Sequence, residues 1–203
     1  MRELIIASKN EGKIREIVDI LDLHDVNIHA YKDFEDWPDV EETGDTFYEN
    51  ALIKARALVE KYNKPAVADD SGLEVDALGG APGVYSSRYG GEEGNDVKNI
   101  TKLLRELKGT CDVRRMARFR CVAVLMTPDG WVASAEGMLE GRIGSATRGD
   151  QGFGYDPVFI PTGQVRTLAE MGLNEKNKIS HRAQAFTKLK EKMGEFRQHA
   201  GDC

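Results

Sequence analysis

The sequence predicts a mixed α/β fold, one β-sheet with helices on its faces. Three observations lead there. Strand-like and helix-like stretches alternate through the first half of the chain, as in sheets built from parallel units. A hairpin signal interrupts that alternation in the second half, so a purely parallel sheet fits less well than a mixed one. The 203 residues are 40% hydrophobic, enough to fill the interior of one large domain or two small lobes.

The elements follow in chain order. "ELIIA" near the start is a short buried strand. After "SKNEGK", Ile14, Ile17, Val18 and Leu21 form one apolar face of a helix, with Asn10 as its N-cap. "TFYENALIKARALVEKY" is a stronger helix, with Phe47, Ala51, Ala55, Leu58 and Tyr62 on its stripe. "KPAVADD", introduced by Pro65, reads as a strand that gives way to a glycine-studded loop. "NDVKNITKLLRELKG" predicts a helix facing inward through Val97, Ile100, Leu104 and Leu107, and stopped by Gly109. "ARFRCVAVLM" and "WVASAEG" flank "TPDG", a turn with proline second and glycine fourth, and so predict an antiparallel hairpin. "PVFIP" is a short strand. "SHRAQAFTKLKEKM" is the last helix, capped by Ser180, with Phe186, Leu189 and Met193 inside. No repeat, low-complexity segment or strong linker interrupts the chain.

Composition excludes several functions. A formal net charge of −6 argues against non-specific duplex binding, which needs a broad basic face. It leaves room for a small polyanion in a local basic pocket. Cys111, Cys121 and Cys203 lie far apart without C-x-x-C spacing, so reduced thiols are expected rather than structural zinc or disulfides. The apolar run in "MRELIIASKN" is too short for a signal peptide, and no window approaches a membrane span. The expectation is a soluble cytoplasmic protein with neither nucleic-acid nor membrane partners.

Five stretches carry candidate chemistry. "ASKNEGK" joins a strand to a helix N-terminus, which attracts phosphate; Ser8, Asn10 and Lys13 can add to that attraction. A capped helix with a surface lysine is the plainer account, and the P-loop pattern is absent. "VEETGDTFYENALIKA" puts Glu41 and Glu42 before a helix, where negative charge is favourable in itself. Asn50 and Lys54 then flank the apolar stripe, and Lys54 either meets an anion or snorkels to water.

"ADDSG" is the most chemical stretch. Strand geometry sends Asp69 and Asp70 to opposite sides, and ligands gather at carboxyl ends of strands in open α/β sheets. Carboxylates there suit Mg²⁺; a pair of turn-forming aspartates is the alternative. "GDQGFGYDP" sets Gly149, Gly152 and Gly154 around Phe153 and Tyr155, whose rings can stack on a flat base, unless this is only a glycine-rich turn. "NEKNKISHRAQ" places Lys176, Lys178, His181 and Arg182 near a helix start, where cations oppose the helix dipole and an anionic or polar ligand would relieve them. His24, His29 and His199 read as surface imidazoles.

Taken in order, these five stretches resemble the inosine triphosphate pyrophosphatase family, which hydrolyses non-standard purine nucleoside triphosphates. The resemblance runs from "ASKNEGK" through "EETGDTFYENALIKA", "ADDSGLEVDALGGAPGVYSSRY" and "GFGYDPVF" to "KISHRAQA", nearly the whole chain. It implies two α/β lobes around a long twisted mixed sheet, with the active site in a central cleft. Residues 1–196 would form this two-lobed domain and 197–203 a flexible tail. It implies a homodimer that uses Mg²⁺, with Mn²⁺ as a substitute. The implied reaction splits ITP, dITP or XTP into monophosphate and pyrophosphate, cleansing the nucleotide pool.

Roles carry over residue by residue. Ser8, Lys9, Asn10, Glu11, Gly12 and Lys13 would cradle the triphosphate, and Lys54 would add charge. Glu41 and Asp70 would hold the metal, Asp70 also activating the water. Ser71 would touch substrate. Phe153, Gly154, Tyr155 and Asp156 would form the base pocket, closed by Lys176, His181 and Arg182. One departure is Lys9, where the family usually has glycine; a positive φ there would cost lysine about 1 kcal/mol or more. Rival readings are a phosphohydrolase of pyrimidine triphosphates or one releasing orthophosphate, and a nucleotide sensor without turnover.

Overall fold

The computed structural model of the protein describes residues 2–200. Six strands, β1 (Glu3–Ile6), β2 (Asn27–His29), β3 (Ala66–Val75), β4 (Met116–Met126), β5 (Val132–Ile143) and β6 (Phe159–Pro161), form one sheet in the order β2-β1-β3-β4-β5-β6. β1 is parallel to both neighbours, with Ile5 opposite His29 and Ala66. β5 and β6 are antiparallel, with Ile143 opposite Phe159. The sheet is therefore mixed. Five α-helices accompany it: α1 (Glu11–Leu21), α2 (Phe47–Tyr62), α3 (Asp96–Glu106), the single turn α4 (Leu173–Lys176) and α5 (His181–Ala200).

Local chemistry explains the boundaries. Asn10 caps α1 by accepting from the Lys13 N–H, and Asp22 ends it in the left-handed region. Thr46 and Glu49 form a reciprocal capping box at the start of α2. The Gly130 N–H bonds the Thr127 carbonyl at 3.0 Å, closing the turn between β4 and β5. Residues 197–200 of the expected tail belong to α5, and 201–203 lie outside the described residues.

Three readings of inward faces need correction. β3 does not stop at the aspartates; it runs ten residues, because Leu73 and Val75 are wholly buried beyond them. Glu16 is buried on α1 where Val18 had been expected, and Val18 is exposed. On α3 the buried stripe is Ile100 and Leu103, continued by Leu107, while Val97 faces solvent. β2, only three residues long, has too little pattern to be seen in sequence.

The chain divides into two compact units. The first comprises Met1–Asp70, Cys121–Gly137 and Arg182–Cys203; the second comprises Ser71–Arg120 and Met138–His181. The first has a core of Leu4, Ile6, Ile17, Leu21, Val67, Leu125, Phe186 and Leu189. The core of the second is built from Leu73, Leu103, Leu107, Phe119, Ile143, Val158, Phe159 and Leu168. Fully burying one such side chain is worth about 1.5–3 kcal/mol.

Candidate active site

Asp69 and Asp70 stand in mid-strand on β3, and their partners come from different helices, as the period of two requires. Asp70 meets α2: it accepts from the Asn50 side-chain amide and from the Lys54 ammonium, each at 3.3 Å. Asn50 is fully buried and is held in turn by the Gly44 N–H, 2.8 Å from its Oδ1. Lys54 also lies 3.2 Å from Glu42. Burial pushes the Asp70 carboxyl above the usual aspartate range; Lys54 and Lys13 pull it back, while Glu42 and Asp69 push it further up. Burial opposes the Lys54 charge, but Asp70, Glu42 and Asp69 outweigh it and hold the amine above its ordinary value. Lys54 therefore meets anions, and the snorkelling account falls.

Asp69 meets α1 and α5. Its Oδ2 receives the Arg182 Nη2 at 3.1 Å and Nε at 3.3 Å, and lies 3.2 Å from Lys13 Nζ. The third guanidinium nitrogen, Nη1, donates to Glu16 at 2.6 Å. Cys121 Sγ is 3.9 Å from the same Asp69 oxygen. Burial alone would raise the Asp69 carboxyl, yet Lys13, Arg182 and Lys54 hold it far below the usual range. Burial and Asp69 together push the Cys121 thiol up, so it is an inert neighbour.

The loop before α1 is preorganised rather than open-ended. Ser8 Oγ accepts from the Asn10 N–H at 3.1 Å, and Asn10 Oδ1 is the α1 cap. Glu11 is exposed and paired with Lys32 and Tyr31; Lys9 is exposed and 3.2 Å from Asp39. Among the described residues, positive φ outside glycine occurs at Asp22 and Asn63 alone, so the strain expected at Lys9 does not arise. Of Ser8 to Lys13, it is Lys13 that reaches the carboxylates. Gly12 sits in the first turn of α1, and Glu41 is exposed on the segment carrying Glu42.

The second unit holds the aromatic loop. Asp156 is buried; its Oδ2 accepts from the Phe153 N–H at 3.0 Å and from the buried Lys176 ammonium at 2.6 Å. Lys176 Nζ also stands 4.8 Å from the Phe153 ring centroid. The Gly154 N–H bonds Asp96 at 2.7 Å, where its φ of +61° suits glycine. Tyr155 differs from expectation. Its ring is in the core and its hydroxyl donates to the Ser86 carbonyl at 2.9 Å, so it supports the loop and offers no open stacking face. His181 is buried and stacks on Phe119 at 4.7 Å with 9° between the rings. Ser71, half-buried, follows Asp70 on β3. Arg182 departs most from its expected place, since its guanidinium serves Asp69 and Glu16 in the first unit.

A mixed α/β sheet whose buried Asp69 and Asp70 on β3 meet the partly buried Lys13 of α1 and Lys54 of α2 defines the class of protein. Within that class the chain belongs to the Ham1 family, whose model matches residues 4–192. It is 50% identical to the dITP/XTP pyrophosphatase of Geobacillus kaustophilus, over 97% of this chain and 96% of that protein. The dITP/XTP pyrophosphatase of Bacillus subtilis is 48% identical over 93% of this chain and 96% of its own length. A solved HAM1 protein from Coxiella burnetii superposes with a TM-score of 0.86 at 43% identity, covering 96% of this chain and all of that one (100%).

Proposed function

We infer that the protein hydrolyses the α–β phosphoanhydride bond of ITP, dITP and XTP, releasing the nucleoside monophosphate and pyrophosphate and so cleansing the nucleotide pool. Relatives that are about half identical over nearly their full length are named dITP/XTP pyrophosphatases. The single structural observation behind it is the buried Asp70 carboxylate between Asn50 and Lys54.

Mg²⁺, with Mn²⁺ as a substitute, is the proposed cofactor. The donor set fits: Asp70 and Glu42, which share Lys54, supply hard oxygens, and the resemblance adds Glu41. Among the described residues no group of three His, Cys, Asp or Glu side chains is gathered to hold an ion. Mg²⁺ needs only one or two carboxylates when phosphates and water complete its shell. Bound there, it would neutralise phosphate charge and acidify a water.

The chain's own residues do the rest. Asp70 orients the attacking water and accepts its proton; burial brings this carboxyl nearer the working pH than an ordinary aspartate, which makes it a better base. Asn50 fixes one Asp70 oxygen and Lys54 the other. Lys13 and Lys54 stabilise the charge that develops on the leaving pyrophosphate, and Ser8 to Gly12 offer the first turn of α1 to phosphate. Phe153 presents its ring to the purine, in a loop set by Asp156, Lys176 and Gly154. Backbone N–H groups and His181 donate to the 6-keto oxygen. Adenine, with an amino group there, leaves those donors unpaired at about 1–3 kcal/mol each. The resemblance supports a cytoplasmic homodimer. Among the described residues no helix is long and apolar enough to cross a membrane.

A substrate panel tests the reading. Purified protein with Mg²⁺ is given ITP, XTP, dITP, GTP, ATP and CTP, and pyrophosphate and orthophosphate are assayed separately. Pyrophosphate from the first three, abolished by EDTA, is the expected result. Orthophosphate as product, preference for CTP, or no turnover at all overturns it.

A further inference from the structure

Lys13 occupies a position that its own helix disfavours. It is in the first turn of α1, where the helix dipole is positive and a cation is locally unfavourable. Its stem is flexible, with an amine of three donors and no fixed direction. Yet that amine is tied to a carboxylate with a side-chain exposure of 1%. The carboxylate is itself fixed: Arg182 grips Asp69 with two nitrogens and Glu16 with the third, and the Arg182 and Glu16 side chains are each 2% exposed. Glu16 lies one turn beyond Lys13 on the same helix. The group joins α1, β3 and α5 through two cations and two anions.

Stability does not account for such a group. Buried ion pairs can often be replaced by apolar side chains without loss, whereas removing one partner is costly. What the group does supply is a fixed point at the end of a mobile lysine. Asp69 takes one side of the Lys13 amine and leaves its other donors available.

We propose that Asp69, clamped by Arg182 and Glu16, is a positioning residue that sets the Lys13 amine against the triphosphate and touches no substrate atom itself. This rests on the pyrophosphohydrolase reading and assigns Arg182 to the phosphate end of the reaction. Misplacing a charge by about 1 Å can cost about 100-fold in rate, so a loss of that order is expected when the clamp is released.

A double-mutant cycle tests it. kcat/KM for ITP is measured for the wild type, Asp69→Asn, Lys13→Ala and the double variant, with melting curves to confirm folding. Asp69→Asn is expected to lower kcat/KM about 10- to 100-fold, and to have no further effect once Lys13 is gone. A merely structural role reduces the folded fraction and multiplies through on both backgrounds; an undiminished effect of Asp69→Asn in the Lys13→Ala protein overturns the proposal, as does wild-type kcat/KM in Asp69→Asn. If Asp69→Asn does not fold, Glu16→Gln takes its place in the cycle with the same criteria. Failure of the underlying reading looks different, because the wild type then releases no pyrophosphate from ITP.

Discussion

Asp70, the proposed base, is buried between Asn50 and Lys54. Its carboxyl is raised by burial, so the folded chain holds this proton more tightly than the unfolded chain does. The sign follows directly: ionisation above the unfolded-state value, about pH 4, costs the native state, and the cost is absent below it. Asp70→Asn removes the charge and keeps the shape. We expect it to abolish turnover, to retain measurable ITP binding, and to melt at or above the wild-type Tm at neutral pH, with any gain vanishing near pH 4. A variant of near-normal kcat removes Asp70 from the role of base. A lower Tm at neutral pH rejects the sign of the electrostatic effect. Asp69, its neighbour in the chain, shows the opposite balance, because Arg182 acts on it in addition to Lys13 and Lys54. Sequence can say that adjacent strand residues face apart, but not which of them meets Arg182, whose partner lies 113 positions away.

At the scale of elements, the helices were the most legible part. Stripes of period 3.6, with N-cap chemistry at Asn10, placed α1 and α2 closely, and the Thr46 capping box of α2 was not read. Errors arose where a charged residue stood in for an apolar one. Glu16 is buried because Arg182 meets it, and no local pattern announces that. β3 was cut short because Ser71 and Gly72 read as a turn, whereas the strand is sustained by the burial of Leu73 and Val75. The aromatic loop was found through its glycines, but Tyr155 and Phe153 could not be told apart as core and open ring. Gly152 has a φ of +77°, and a Cβ there would overlap the Asp156 carboxylate that holds Lys176 and the Phe153 N–H. Gly152→Ala should therefore raise KM for ITP about tenfold or more while leaving the secondary structure seen by circular dichroism intact. An unchanged KM would separate this loop from base recognition.

For the whole molecule, net charge −6 means that attraction for a tetra-anionic nucleotide has to be local, and in the proposed reading Lys13 and Lys54 supply it. The proposed Mg²⁺ would find no cage of three His, Cys, Asp or Glu side chains among the described residues. Melting curves should therefore respond little to Mg²⁺ alone, by about 1 °C or less at millimolar concentration, and clearly to Mg²⁺ with a non-hydrolysable ITP analogue. A large shift with Mg²⁺ alone would mean a preformed site and refute the shared-ligand arrangement.

The path of the chain through its two units has a genetic consequence. The first unit is assembled from three separate stretches and the second from two, with the crossings inside β3, β4 and β5 and at the start of α5. No contiguous reading frame encodes either one. A stop codon after His181 would delete the α5 residues Phe186, Leu189 and Met193 from a core whose other members begin at Leu4. A stop codon anywhere before α5 therefore leaves the core of the first unit incomplete.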